Sequence, residues 1–391
     1  MLEQPTNWTA VILAGGLGSR LFPLTQEIPK PLVPVGNKAM LDYAIDHVKY
    51  AGIKKIVIVL KHLGEKIRAH MEEKWYGNPE KIGDLDIKIP RVDSKDTADA
   101  LRKVSNLIET DYVLVSMGDI VTNLPLKNFL KYHEEKNAFS TISMKTIDEP
   151  TQYGVVMLDS DKKIHLFLEK PDSRELYVSS IIQRSDIYLH TNLINTGIYA
   201  FKSEIVDLLN SEHSLMDFGR NVFPYLLENK YDIYGFVENY YWMDVGQPKP
   251  YLWANWDIIR GYGWPVTPNG KKNSDLWYEE KPTLDQGTVI QKPGAFGKNL
   301  SIGRDVKIKE LCVIDENTAI GENTIIEKSV IWENVKIGAN CDIKESIICN
   351  NVKIGENVRI NESVIGPNCI IQEGKKVSYQ KIVHGENDDS E

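Results

Sequence analysis

The chain has 391 residues, of which 42% are hydrophobic and 26% charged, and a formal net charge of −9. This length predicts two domains rather than one, with apolar material enough for a sizeable core. The acidic balance argues against nonspecific nucleic-acid binding. No apolar stretch approaches membrane-spanning length and no leader pattern opens the chain, so a cytoplasmic protein with no membrane partner is expected.

The first predicted element is a strand over Ala10 to Leu13, opening into Ala14, Gly15, Gly16, Leu17, Gly18, Ser19 and Arg20. A proline-punctuated stretch then presents Lys30 between Pro29 and Pro31. Residues without a Cβ let backbone N–H groups approach and grip phosphate. Arg20 adds a planar fork for phosphate oxygens, and Lys30 a point charge held by prolines that fix φ. A dinucleotide fingerprint would need glycine at Leu21, and a Walker loop would need Gly-Lys-Ser/Thr where Gly18, Ser19 and Arg20 stand.

This stretch resembles the signature of the sugar-1-phosphate nucleotidylyltransferases, which runs Gly-Gly-x-Gly-Thr-Arg-Leu-x-Pro-Leu-Thr and then Pro-Lys-Pro. The departure at Ser19 keeps the hydroxyl. The resemblance implies that Leu13, Ala14, Gly15, Gly16, Gly18, Ser19 and Arg20 hold a nucleoside triphosphate, and that Lys30 neutralises its α-phosphate.

Asn37 is expected to cap a helix whose stripe is Leu41, Ala44, Ile45 and Val48, stopped by Gly52. A strand over Ile56 to Leu60 and a helix over Glu65 to Trp75 follow, so the order predicts a doubly wound, mostly parallel, Rossmann-like α/β sheet. In such sheets ligands sit outside the carboxyl ends of the strands, where the glycine loop falls.

Asp96 or Thr97 caps the next helix, with Asp99 favoured by its dipole. The family shows Gly-Thr-Ala-Gly-Ala here, close to the nucleobase, so the resemblance makes Asp96 and Thr97 nucleotide-binding residues. Aspartates replace both glycines, and either carboxylate could accept from base N–H groups. Val113 to Met117 is a strand ending at Gly118 and Asp119. The resemblance puts Gly118 at the nucleotide and makes Asp119 a Mg²⁺ ligand, fitting the oxygen donors that a hard cation on phosphates demands.

Further along, Tyr153 and Gly154 lead through a half-buried hairpin pattern to Glu169, Lys170 and Pro171, and Asn192 to Tyr199 reads NLINTGIY. The resemblance implies that Gly154, Glu169 and Asn195 hold sugar hydroxyls and that Lys170 holds the attacking phosphate. Trp242, Met243, Asp244, Val245 and Gly246 match the family's Trp-x-Asp-x-Gly, making Asp244 the second Mg²⁺ carboxylate. The run to Lys249 looks most like the mannose-1-phosphate guanylyltransferases, with a departure at Pro250. Residues 172–191 match no pattern.

Domain boundaries follow from composition. Residues 1–260 are expected as a nucleotidyltransferase domain and 261–298 as a glycine- and proline-rich linker. From there the chain repeats: Glu327 to Ile343, Lys344 to Ile360 and Asn361 to Val377 align with isoleucines at fixed spacing. Short apolar corners cannot bury their face alone, so residues 299–378 predict a stacked β-solenoid whose spacing resembles the left-handed parallel β-helix. Residues 379–391 form a polar tail. The repeat holds no histidine to serve as an acyltransferase base, so it reads as a structural, regulatory or assembly surface, and its open ends invite a homo-oligomer. Cys312, Cys341, Cys349 and Cys369 lack metal spacing and read as free thiols.

The expected reaction joins an NTP to a sugar-1-phosphate, most closely GTP and mannose-1-phosphate, releasing pyrophosphate. Glucose-1-phosphate with ATP, UTP or dTTP, a catalytically silent sensor, and an added acetyltransferase activity are the alternatives.

Overall fold

A computed structural model describes residues 7–61, 63–147, 155–168 and 187–383. The chain divides into two compact units: Met1–Gly16, Ala44–Gly118 and Thr122–Trp242 form the first, and Leu17–Tyr43, Asp119–Val121 and Met243–Glu391 the second. No helix among the described residues is long and apolar enough to cross a membrane.

The first unit is built on a 9-stranded sheet among the described residues. From one edge inward, parallel strands lie in the order Asp86–Lys88, Lys55–Leu60, Trp8–Ala14, Tyr112–Met117. Counted along the chain this is third, second, first, fourth, the order of a doubly wound fold. Its switch point falls between the strands ending at Ala14 and Met117. An antiparallel wing extends the sheet through Ile187–Lys202, which pairs with Tyr112–Met117, Ser140–Thr146 and Val155–Asp159. Alternation buries Val11, Val113 and Val115 beside Phe201, Phe218 and Phe223, and the Phe201 ring stacks 5.5 and 6.2 Å from those of Phe218 and Phe223.

On another side of this sheet the buried His133 donates to, or accepts from, the Thr141 hydroxyl at 2.8 Å through Nδ1, with its ring against Trp8 and Tyr112. Burial, then the charge of Lys202, pushes its pKa down to about 3. The unfolded chain therefore takes up this proton first, so the stability it contributes is complete above pH 6.5 and is lost as pH falls from there toward 3. At pH 5 the loss is about 2 kcal/mol. Urea midpoints are expected to be lower at pH 5 than at pH 7.5, and His133→Phe should narrow that difference; an unchanged difference would refute this account.

Among the described residues the second unit contains a three-sided parallel β-helix whose stacks are 8-, 6- and 5-stranded, the 8-stranded one opening with an antiparallel strand, Lys271–Asn273. Ile308, Ile326, Ile343 and Ile360 stack through one wall, and Ile314, Ile331, Ile348 and Ile365 through another. Corners are turned by asparagines at left-handed φ, including Asn317, Asn334, Asn351 and Asn368 at 57 to 61°, since asparagine tolerates that region better than other non-glycine residues. A serine ladder ties coils together: Ser346 N donates to Ser329 Oγ and Ser363 N to Ser346 Oγ, each at 3.1 Å and 17 residues apart.

The stack extends beyond the expected 299–378 at both ends. Leu276–Tyr278 and Gly294–Phe296 pair within the stretch expected as linker, and Lys381–Ile382 pairs with Val364–Ile365 inside the expected tail. In the first of these coils Tyr278 and Phe296 occupy the column held further on by Ile314 and Ile331, so the isoleucine spacing does not reach them.

The 8-stranded wall has two apolar faces. Its inner residues are the isoleucines just named. By alternation, Val313, Val330, Ile347 and Val364 face outward, yet all are buried. Segments of the same unit reach this wall: Asn37 Nδ2 donates to the Ile314 carbonyl at 3.1 Å, and Trp332 Nε1 to the Tyr251 hydroxyl at 2.8 Å. Tyr251 lies in the helix Pro248–Arg260 and donates in turn to the Pro34 carbonyl at 2.6 Å.

Asn37 therefore does not cap a helix. Gly36 and Asn37, at φ 56 and 59°, form the two-residue turn between Pro34–Val35 and Lys38–Ala39, the twist-matched geometry for so short a hairpin. The helix begins at Met40 and ends at Ala51.

Candidate active site

Within the second unit, four residues from distant points in the sequence converge. Lys30 begins a 3₁₀ turn, Lys30–Leu32, with Pro31 at its first positions. Ile120–Thr122 and Trp242–Asp244 pair as a short ladder, setting Asp119 at the edge of one strand and Asp244 at the end of the other. The Lys30 ammonium lies 2.7 Å from Asp119 Oδ2 and 3.4 Å from Asp244 Oδ1, while Arg20 approaches Asp244 Oδ2 at 4.0 Å. Lys30 is 8% exposed, the carboxylates 28% and 26%, and Arg20 65%, so a buried cation holds two carboxylates and a second cation reaches solvent. Burial alone would push the Lys30 pKa down, but Asp119 and then Asp244 outweigh it and hold it above its ordinary value.

Gly18 completes this group. Its φ is +67°, and a Cβ there would stand 2.9 Å from Lys30 Cβ and 2.9 Å from Thr25 Cγ2, so both conformation and contact call for glycine. Ser19 and Arg20 follow in a 3₁₀ turn. A Cβ on Gly246 would lie 3.3 Å from the Arg20 guanidinium and 3.4 Å from Asp244 Oδ2.

In the first unit, Leu13, Ala14, Gly15 and Gly16 stand at the carboxyl end of the first strand, and Gly118 N donates to the Leu13 carbonyl at 2.9 Å. A Cβ on Gly15 would meet Lys61 Cβ at 2.9 Å, whereas one on Gly16 would meet nothing within 4 Å. Gly16 thus faces open space at the switch point.

Asp96 caps the helix Thr97–Lys103, accepting from Thr97 N at 2.9 Å. The Thr97 hydroxyl donates to Asp217 Oδ2 at 2.9 Å, and Ala98 N and Asp99 N both donate to the Met216 carbonyl. Burial, then the charge of Asp217, holds the Asp96 carboxyl above its usual range.

Asp99 departs from the reading that it could accept from a base. Its carboxylate takes Arg102 Nη1 at 2.6 Å and Lys95 N at 2.8 Å, both ends of the pair being buried. Asn195 sits where the register of Ile187–Lys202 shifts; its Oδ1 accepts from Gly197 N and its Nδ2 donates to the Tyr199 hydroxyl, each at 2.9 Å. Gly154, Glu169 and Lys170 lie outside the described residues.

Comparison with known proteins divides the chain in sequence order. The family described as nucleotidyl transferase matches residues 9–261. The chain belongs to this family. Residues 273–378 match the EIF2B subunit epsilon LbH domain, a left-handed β-helix, so the solenoid is of that type. A UTP–glucose-1-phosphate uridylyltransferase of Synechocystis sp. is 29% identical over 344 residues, 83% of this chain and 82% of that protein. A mannose-1-phosphate guanyltransferase of Pichia angusta is 29% identical over 336 residues, 82% of each chain. A glucose-1-phosphate adenylyltransferase of Geobacter metallireducens is 27% identical over 388 residues, 82% of this chain and 92% of that one.

The family implies a divalent metal, and the donor chemistry fits one. No group of three or more His, Cys, Asp or Glu side chains suited to a metal gathers among the described residues. A hard cation such as Mg²⁺ needs only one or two protein carboxylates when substrate phosphates and water complete its shell. Asp119 and Asp244 both aim an oxygen at Lys30 Nζ, so their carboxylates face one place.

Two residues near these groups carried no motif. Asp217 caps the turn Phe218–Val222 by accepting from Arg220 N at 2.8 Å, a role its position before a helical stretch announces, while its bond to Thr97, 120 residues away, has no local signature. Lys61 follows an apolar strand, packs its stem against Gly15, and donates to the Ser94 carbonyl at 2.5 Å.

Proposed function

We propose that this protein is a Mg²⁺-dependent sugar-1-phosphate nucleotidylyltransferase that joins GTP to mannose-1-phosphate, releasing pyrophosphate. The convergence of Lys30 on Asp119 and Asp244, with Arg20 beside them, is the observation that carries this reading. A sugar phosphate oxygen attacks the α-phosphorus while pyrophosphate leaves in line. The nucleophile is already ionised, so positioning and charge neutralisation supply the catalysis.

In this reading Gly15, Gly16 and Gly18 with Ser19 and Arg20 hold the β- and γ-phosphates and the leaving group, while Leu13, Ala14 and Gly118 line the nucleotide. Lys30 neutralises charge at the α-phosphate, and Lys170 holds the attacking phosphate. Glu169, Gly154 and Asn195 take sugar hydroxyls. Asp119 and Asp244 would hold Mg²⁺, whose bound form supplies charge neutralisation on the phosphates.

The guanine and mannose assignments rest on the run Trp242 to Lys249 and on relatives named for that activity, among them the Pichia angusta protein. Asp96, capping beside Asp217, offers carboxyl groups to guanine N–H donors. Relatives named for glucose-1-phosphate, uridylyl and adenylyl transfer stand at similar identity, so the test is a panel. Pyrophosphate release should be measured for GTP, ATP, UTP and dTTP with mannose-1-phosphate and glucose-1-phosphate. The GTP and mannose-1-phosphate pair is expected to have the highest kcat/KM by at least about 10-fold, since sites that hydrogen-bond a substrate group strongly reject analogues lacking it. A higher value for another pair reassigns the substrate, and no release from any pair leaves the silent-sensor reading.

The proposal also places the protein in the cytoplasm, in keeping with its four unpaired, buried cysteines. It includes self-association through the last coils, where Ile370 is 61% and Tyr379 73% exposed.

A further inference from the structure

Between Arg20 and Lys30 the chain is a run of tight turns: Leu21 N donates to Gly18 O, Leu24 N to Leu21 O and Gln26 N to Pro23 O, at 2.9 to 3.1 Å. Thr25 Oγ1 closes the loop on the Gly18 carbonyl at 3.0 Å. Leu21 and Leu24 anchor the start of this loop by burial, whereas the stretch from Thr25 to Ile28 stays partly exposed and depends on polar contacts to hold it.

The solenoid of the same unit holds it. Glu27, three residues before Lys30, accepts from Asn368 Nδ2 with one carboxylate oxygen and from Asn350 Nδ2 at 3.5 Å with the other. These asparagines stand on successive coils, at the corners beside the strands Ile347–Ile348 and Val364–Ile365. Nearby, Lys381 Nζ donates to the Phe22 carbonyl at 3.5 Å, and a Cβ on Gly366 would lie 3.2 Å from Pro23. The loop is therefore fastened to the last coils at Phe22, Pro23 and Glu27, and of these three residues Glu27 alone contributes a charged side chain. A carboxylate accepting two amide N–H bonds makes charge-assisted bonds, stronger than neutral ones.

We propose that Glu27 is a positioning residue: by gripping Asn350 and Asn368 it fixes the loop that carries Arg20 and Lys30, so the solenoid's last coils set the geometry of the catalytic cations. Glu27 touches neither Lys30, Asp119 nor Asp244, and its effect passes through the loop backbone. The inference rests on the proposed transferase reading for its catalytic consequence but not for the attachment itself.

The test uses the full chain and two readouts. In hydrogen–deuterium exchange, Glu27→Ala and Asn368→Ala are each expected to speed exchange in peptides covering residues 18–33 by about 10-fold, with exchange in the central coils unchanged. In steady-state pyrophosphate release, Glu27→Ala is expected to lower kcat about 10-fold and raise the KM for GTP, while Glu27→Gln, which keeps an acceptor and the length, stays within about 3-fold of wild type. The double variant Glu27→Ala with Asn368→Ala should be no worse than the poorer single one, as coupled residues are non-additive.

Unchanged exchange in residues 18–33 overturns the attachment, and raised exchange with unchanged kcat and KM overturns the positioning role. If the alanine variants unfold, Asn368→Asp, which sets a like charge against Glu27, should lower kcat, and adding Glu27→Gln should restore it; failure to restore overturns the proposal. A wild-type protein that releases no pyrophosphate sinks the transferase reading, and faster exchange in Glu27→Ala would then still support the attachment.

Discussion

Asp244→Asn should lower pyrophosphate release about 10³-fold, close to 4 kcal/mol of transition-state stabilisation, with the melting temperature nearly unchanged. The amide keeps the shape of the side chain, and its oxygen can still accept from Lys30, which retains Asp119 at 2.7 Å. What disappears is a negative charge at the place where the Lys30 ammonium and, in the proposed reading, Mg²⁺ are held. Charges preorganised in a half-buried site contribute more than the same charges in water, because no solvent reorganises around them. Turnover at saturating NTP and sugar-1-phosphate, with circular dichroism as the control for folding, decides the matter. Wild-type turnover with unchanged Mg²⁺ dependence would remove Asp244 from the site.

The second large effect is one of stability. Asp99→Ala leaves the Arg102 guanidinium, 9% exposed, without its carboxylate partner. The same change takes an acceptor from Lys95 N. Breaking a buried pair from one side costs about 3–5 kcal/mol, because the remaining charge stays desolvated. In a unit of this size the expected fall in Tm is on the order of 10 °C. Arg102 also donates to the Leu209 and Leu215 carbonyls, at 2.5 and 2.6 Å, so the loss should propagate into the segment that carries Asp217. Nucleotide preference is expected to stay as in wild type. A changed base preference with unchanged Tm would return Asp99 to base recognition.

These two residues mark the limits of sequence reading. Asp244 was singled out by the resemblance of Trp242 to Gly246 to Trp-x-Asp-x-Gly, and the structure brings it to Lys30. Asp99 was ambiguous because an acidic residue in the first turn suits the helix dipole, a base or an ion pair equally well, and its choice depends on Arg102 being buried against residues more than a hundred positions away. Asn37 likewise satisfied the rule for a helix cap, but the preceding glycine and the paired strands made a hairpin turn the better use of its left-handed φ.

The solenoid was legible from its isoleucines, and its second apolar face was not, although the signal is present. Where a wall meets water the strands read Lys336-Ile337 and Lys353-Ile354, one polar and one apolar residue. Where both sides are covered they read Val330-Ile331, Ile347-Ile348 and Val364-Ile365. Strands buried on two faces lose their alternation, and this wall loses it in three successive coils.

That doubly covered wall means the protein does not come apart where its composition changes. A chain severed near residue 260 would strip the Arg20 and Lys30 segment of its bed, and would leave Val313, Val330, Ile347 and Val364 as a bare oily column on the other fragment. Such pieces would aggregate or re-associate as a split protein, so gene fission or shuffling at that seam would succeed only if both halves were made together.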